Sequence, residues 1–210
     1  MAGSIPAGKT MNGTETTLYP GFIRLFKETF GFTNKEFDDL LSCFRIKTVH
    51  KKEFYMRAGE TCRVRAYLNK GCTRSFVVDE HGHERILFFS FEDWWVGDFE
   101  SFYSGNPGTN YIQALEDCEL MIISKEDFLR LEERNPKLKQ WYTVKMVRSA
   151  GASLKRIEEI KTLSPKERYL NLLKKQPDLF QRVPLQYIAA FLNIEPQSLS
   201  RMRKRLGNKG

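Results

Sequence analysis

The chain has 210 residues, 41% of them hydrophobic and 29% charged, which is the balance of a globular protein and excludes a disordered or fibrous one. No apolar run approaches the ~20 residues of a membrane helix. Residues 1–17 are small and polar and lack a secretory core, which predicts a disordered lead-in there, no membrane contact and a cytoplasmic location. The formal charge of +8 is unevenly placed. Residues 1–150 carry 21 basic and 21 acidic side chains, whereas residues 151–210 carry 13 and 5, a difference equal to the whole +8. A neutral front and a basic tail predict that the tail meets a polyanion. The four cysteines, Cys43, Cys62, Cys72 and Cys118, show neither zinc-site nor redox-motif spacing. They read as free thiols, with no metal site.

In chain order, Phe22, Leu25, Phe26 and Phe30, then Phe37, Leu40 and Leu41, recur at helical spacing. They predict two short helices broken near Gly31, the second capped by Thr33 with Glu36 three residues on. From Phe44 the pattern alternates. Strands are predicted over 44–50, 53–56, 65–69, 75–78, 85–90, 111–114 and 119–123, separated by turn-forming Gly, Asn, Asp and Pro. Many short strands predict a β-roll or sandwich. The cluster Phe88, Phe89, Phe91, Trp94, Trp95 and Phe99 reads as core packing. His81 and His83 flank Gly82 at a hairpin tip and read as turn residues.

Ser124 caps a short helix, and Asn135-Pro136 opens a long one. Along it Leu138, Tyr142, Met146, Ala150, Ser153, Ile157 and Ile160 form a heptad-like seam. Gly151 inside that helix costs about 1 kcal/mol of propensity, which either pairing with a second copy or packing on the chain's own β-domain would offset. Ser164-Pro165 opens the next helix, which runs to about Lys175.

The last 27 residues carry the clearest motif. Pro184 starts a helix with Leu185, Ile188, Ala189 and Leu192 on one face. Asn193-Ile194-Glu195 forms a tight turn, and Pro196 begins a second helix. There Leu199, Met202 and Leu206 face inward, while Gln197, Arg201 and Lys204 face outward. Ser198, Ser200 and Arg205 flank that stripe, and Arg203 sits nearer the buried edge. Arginine can bond guanine and glutamine adenine in the major groove, and Arg203, Lys204 and Arg205 suit phosphates. The pattern is that of a helix-turn-helix.

The run Tyr187-Ile-Ala-Ala-Phe-Leu-Asn-Ile-Glu-Pro-Gln-Ser-Leu-Ser-Arg-Met-Arg-Lys-Arg-Leu206 resembles the helix-turn-helix of the Crp-Fnr family, bacterial regulators typified by the cyclic-AMP receptor protein. Ala66-Tyr-Leu-Asn-Lys-Gly71, the 79–87 hairpin and Trp95-Val-Gly-Asp-Phe99 are similar to segments of its β-roll and phosphate cassette. The resemblance implies an α+β chain: a cyclic-nucleotide-binding-like sensor over 18–134, a dimerisation helix and hinge over 135–162, and a DNA-binding domain over 163–210. Pro196, Gln197 and Arg201 match the family's base-contacting positions, of which only Gln197 and Arg201 carry a side-chain donor. Duplex DNA, a second copy and RNA polymerase are the implied partners.

In this family a Gly-Glu-Leu segment holds the ribose and an Arg-Ser or Arg-Thr pair holds the phosphate. Here Gly97-Asp98-Phe99 and Gly108-Thr109 stand in those places, so the arginine is missing. A lost charged hydrogen-bond partner costs about 1.5–3 kcal/mol, which argues against ordinary cyclic-AMP binding. Gly97, Asp98, Phe99, Gly108 and Thr109, with Ser153 of the long helix, are the candidate effector pocket. Arg74 and Arg85 are candidate substitute cations. No cofactor is identified beyond a small-molecule effector of unknown identity. The iron-sulfur sensors of the family cluster their cysteines, and this chain does not. A sensor module acting through a protein partner is the competing function. An enzyme is not expected, because no phosphate loop, paired catalytic carboxylates or activated nucleophile stands out.

Overall fold

The computed structural model describes residues 9–10 and 19–207. The lead-in expected over 1–17 lies outside them, apart from Lys9–Thr10 (β1), a two-residue strand antiparallel to the start of the roll. Helix α1 (Pro20–Ile23) continues as a π-helical stretch, Arg24–Thr29. It ends at Phe30 and Gly31, where φ is +71°. Helix α2 (Asn34–Ser42) carries the complete capping box: Thr33 Oγ1 accepts from Glu36 N–H, and the Glu36 carboxylate accepts from Thr33 N–H.

Eight further strands follow: β2 (Phe44–Val49), β3 (Phe54–Met56), β4 (Val64–Lys70), β5 (Thr73–Val78), β6 (Glu84–Ser90), β7 (Trp94–Val96), β8 (Tyr111–Ala114) and β9 (Cys118–Ser124). They form two sheets, in the orders β1-β2-β9-β4-β7 and β3-β8-β5-β6. Strand β9 is central to the first, pairing Phe44 with Ile123 on one side and Ala66 with Ile122 on the other. The seven expected strands are present with edges shifted by one or two residues. Strand β7 was not expected, nor was α3 (Phe99–Ser104), which begins where Asp98 accepts from Ser101 N–H. Gly71 makes the β4–β5 turn at φ +104°; a Cβ there would lie 2.7 Å from Cys118 Sγ and 2.8 Å from the Asp117 carbonyl, so only glycine fits.

The chain divides into two compact units: residues 1–75 with 89–143, and residues 76–88 with 144–210. The first unit has an aromatic core in which Phe22, Phe26, Phe37, Phe44 and Tyr67 are buried. Phe22 packs edge-on against both Phe44 and Tyr67. Each ring so buried contributes about 1.5–3 kcal/mol of apolar transfer. Helix α4 (Lys125–Arg134) starts at the Ser124 cap, and α5 (Pro136–Thr162) follows. Leu138 and Tyr142, expected on a dimer seam, are instead buried in this unit, with the Tyr142 ring against those of Trp95, Phe99 and Phe128. The exposed apolar residues of α5 are Val144, Val147, Leu154 and Ile157. Of the expected seam only Ile157 is among them, so the exposed apolar stripe of α5 runs along other residues than its sequence pattern suggested.

The second unit contains the rest of α5, then α6 (Pro165–Lys175), α7 (Leu179–Arg182), α8 (Leu185–Leu192) and α9 (Pro196–Gly207). Ser164 and Glu167 form a second capping box. Helix α7 was not expected; it follows the Gln176-Pro177-Asp178 interruption, and Tyr169 of α6 packs edge-on against its Phe180 at 5.4 Å.

Candidate nucleic-acid interface and sensor site

The reading head is built by α8 and α9. Ile188, Ala189 and Leu192 of α8 are buried, and so are Ile194 in the turn and Leu199 of α9. Pro184 is the residue before α8 rather than its first member. Asn193 adopts φ 54°, ψ 53°, the left-handed conformation that ends α8, and Ile194 N–H then donates back to the Ala189 carbonyl. This turn directs α9 away from α8. With Leu199 inward, Gln197, Ser200, Arg201, Arg203, Lys204 and Arg205 are exposed, and Ser198 is half-buried. Arg203, expected near the buried edge, is exposed like its neighbours. Arg201 Nη2 donates to Ser198 Oγ at 3.3 Å, one helical turn back. The exposed side of α9 therefore holds four cations and an amide, with no acidic side chain from Pro196 to Arg205.

Two arginines dock this head within the second unit. Buried Arg168 donates through Nη1 to the Ile160 and Leu163 carbonyls, at 3.1 and 2.8 Å, and through Nη2 to the Asn193 carbonyl at 3.2 Å. It satisfies acceptors at the end of α5 that have no helical partner, and it grips the turn of the head. Arg156 is the second; its Nη1 donates to the Ile86 and Leu87 carbonyls. Neither role was legible in the sequence, because both depend on carbonyls brought together by folding.

In the first unit, Asp98 is buried and its Oδ1 is committed to capping α3. Gly108 lies against it: a Cβ at 108 would fall 2.7 Å from Asp98 Oδ2 and 2.9 Å from Met56 Cε. Gly97, Asp98 and Phe99 are thus brought together with Gly108, which lies against the Asp98 carboxylate. Thr109, which follows Gly108, is exposed. Ser153 lies in the second unit, exposed, its hydroxyl donating to the Ser149 carbonyl. Both candidate substitute cations have partners of their own. Arg74 Nε donates to Gln113 Oε1, and Arg85 pairs with Asp79 at 2.8 Å. Asp79 also accepts from His81 and His83 N–H, so the two histidines belong to the hairpin tip as expected.

The sequence reading missed Arg65. It is fully buried on β4 and makes no hydrogen bond of good geometry. Five rings surround its guanidinium: Phe99, Phe102 and Tyr142 at 4.0, 4.4 and 4.6 Å, and Tyr103 and Phe128 at 5.5 Å. Its Nη1 lies 4.0 Å from where a Gly97 Cβ would project. Burial raises the pKa values of Tyr103, Tyr142 and Glu132, and the Arg65 charge opposes each rise. Cys62 is raised in the same way by burial, which makes it an unreactive thiol. No group of side chains suited to a metal ion occurs among the described residues.

Residues 46–135 match the cyclic nucleotide-binding domain family. The cAMP-activated global transcriptional regulator CRP of Escherichia coli O6:H1 is 26% identical over 150 residues, covering 70% of this chain and 71% of that protein. The CRP of Pasteurella multocida is 26% identical over 171 residues, covering 75% and 82%. Among solved structures, the c-di-GMP responsive global regulator CLP of Xanthomonas campestris superposes with a TM-score of 0.68 at 18% identity, over 83% of this chain and 91% of that one. FixK2 of Bradyrhizobium japonicum gives 0.71 at 13% identity, over 80% and 86%. A nucleotide-binding-type β-roll, a long helix and a terminal helix-turn-helix define a DNA-binding transcription regulator. In sequence and fold the chain is similar to regulators of the Crp-Fnr family.

Proposed function

We propose that this regulator is a homodimer that reads a two-part operator with Gln197 and Arg201, while Ser198, Ser200, Arg203, Lys204 and Arg205 hold the flanking backbone. The observation that carries the reading is the division of α9: Leu199 is buried, and the face bearing Gln197 and Arg201 is exposed and purely cationic or neutral. Such a face supplies both base-edge donors and phosphate contacts. Val144, Val147, Leu154 and Ile157 form an exposed apolar stripe along α5 that a second copy of the helix would cover. Paired heads would then sit ~34 Å apart, on half-sites one helical turn apart. The boundaries at 18–134, 135–162 and 163–210 divide the chain into sensor, dimer helix with hinge, and reading domain. The protein acts in the cytoplasm, with RNA polymerase as its further partner.

The sensor takes an effector in a way that differs from ordinary cyclic-AMP binding. Asp98, crowded against Gly108, puts negative charge where a cyclic phosphate would need a cation. Duplexes selected from random sequence by the wild-type chain test the whole reading in a gel-shift assay. Arg201→Ala should lose the preference for the selected duplex over a scrambled one. Failure of the wild-type chain to select any duplex, or an unaltered preference in the variant, refutes the groove assignment.

A further inference from the structure

Arg156 joins three segments that are distant in sequence. It stands on α5, and its Nη1 donates to two consecutive carbonyls of β6, Ile86 at 3.1 Å and Leu87 at 2.7 Å. Its Cζ lies 4.4 Å from the centre of the Phe191 ring on α8, the first helix of the reading head. All these partners lie in the second unit, which joins the hairpin residues 76–88 to residues 144–210. Burial lowers the Arg156 pKa. Among the described residues no carboxylate pairs with it, and its Nε is buried without a hydrogen-bond partner. The charge is therefore held by peptide dipoles from the hairpin and by the face of one ring from the head.

A guanidinium suits this task better than an ammonium. Its plane can stack on an aromatic face while its edge donates to acceptors in that plane. Arg168 grips the turn of the head, but its carbonyl partners are the end of α5 and Asn193. Arg156 is the one of the two that reaches the β5–β6 hairpin.

We propose that Arg156 is a positioning residue for DNA reading: through Phe191 it fixes the orientation of the helix-turn-helix relative to the β5–β6 hairpin. This rests on the dimeric reading above. Two half-sites can be engaged together only if both heads are held at the matching spacing and angle. Loosening the heads lowers the effective concentration of the second head at its half-site, without altering the contacts that one head makes. Paired-site and single-site binding therefore respond differently.

The experiment measures affinity of the full chain for the selected two-part duplex and for the same duplex with one half-site scrambled. Arg156→Ala and Phe191→Ala should each weaken the two-part duplex at least about fivefold, in the range of conformational couplings. Both should leave the single half-site within about twofold, because coupling acts on orientation alone. The double variant should be no weaker than the weaker single one, since both changes break one link. Arg156→Lys, which keeps the charge but not the planar stack, should fall between wild type and Arg156→Ala. Equal losses on both duplexes would mark a general structural defect and overturn the proposal. So would no loss, tighter two-part binding, or additive effects. A wild-type chain that binds no duplex refutes the proposed function itself, a result distinguishable from all of these.

Discussion

The Arg65 guanidinium lies 4.0 Å from the centre of the Phe99 ring, entirely out of solvent, with four more rings closing around it. Phe99 opens α3, Phe128 belongs to α4 and Tyr142 to α5, so one cation from β4 is the common neighbour of three helices. A desolvated cation–π contact is worth about 2 kcal/mol. Burial of an ion without a hydrogen-bonded counter-ion costs several kcal/mol. The rings attract the charge but do not replace its hydrogen bonds to water, and Arg65 is expected to lower stability relative to an apolar residue of similar size.

Arg65→Met keeps most of the side-chain length and removes the charge. It should raise stability by about 1–2 kcal/mol, following the behaviour of buried ions replaced by apolar residues of similar size. Arg65→Ala should lower it by about 2–4 kcal/mol through the cavity left among the five rings. Urea unfolding of the two variants checks both signs. A methionine variant less stable than wild type would show that the rings and nearby hydroxyls compensate the charge in full.

Glu132 gives a pH prediction. Burial raises its pKa, against the opposing effects of the Tyr103 hydroxyl at 3.3 Å and the Arg65 and Lys139 charges. A carboxyl whose folded pKa lies above its unfolded one binds its proton more tightly in the native state. Its stabilising contribution is complete below the unfolded pKa and is lost as pH rises through the folded pKa. The Tm of the wild-type chain should therefore fall relative to Glu132→Gln as pH rises from about 4 through the raised pKa. Parallel Tm profiles would show that Glu132 does not titrate differently on folding.

The capping box at Thr33 and the cap at Ser164 were legible because their chemistry is local, within three residues of the chain. The reading head was legible for a related reason. Its turn residue, its buried apolar positions and its cations fall within 24 consecutive residues, from Pro184 to Gly207. Strand β7 escaped notice because it is three residues long and lies inside an aromatic run that reads equally well as core. Arg65 escaped because its partners come from residues 99 to 142. Alternation along β4 turns Arg65 to the same face as buried Tyr67, but period-two patterning treats a charged residue as evidence of solvent. Tyr142 misled for the opposite reason: a seam drawn at helical spacing does not say which part of the helix its own unit covers.

The phosphate role proposed for the C-terminal cations has a distinct signature. Lys204 and Arg205 are exposed at the end of α9, with no ion-pair partner among the described residues. Each phosphate contact releases condensed counter-ions and steepens the dependence of affinity on salt. Lys204→Ala should weaken selected and scrambled duplexes alike and reduce the slope of log affinity against log salt by about 1. A change confined to the selected duplex, with the slope intact, would reassign Lys204 to base reading.

Asn193 tests the turn that aims the recognition helix. Its φ of 54° is costly for most side chains, and asparagine tolerates it. Asn193→Gly should therefore be nearly neutral in stability, within about 0.5 kcal/mol, because glycine adopts this conformation freely. Asn193→Val should cost about 1–2 kcal/mol, since a β-branched side chain meets the full left-handed penalty. The main chain at this position also accepts from Arg168. If valine forces φ back to negative values, the carbonyl turns away, that bond is lost, and α9 leaves its angle to α8. DNA affinity should then fall more in the valine variant than its stability loss explains, while the glycine variant binds like wild type. Urea unfolding and gel shifts on the same two variants measure both quantities. A valine variant that unfolds earlier but binds the selected duplex normally would show that α9 keeps its aim without this turn conformation.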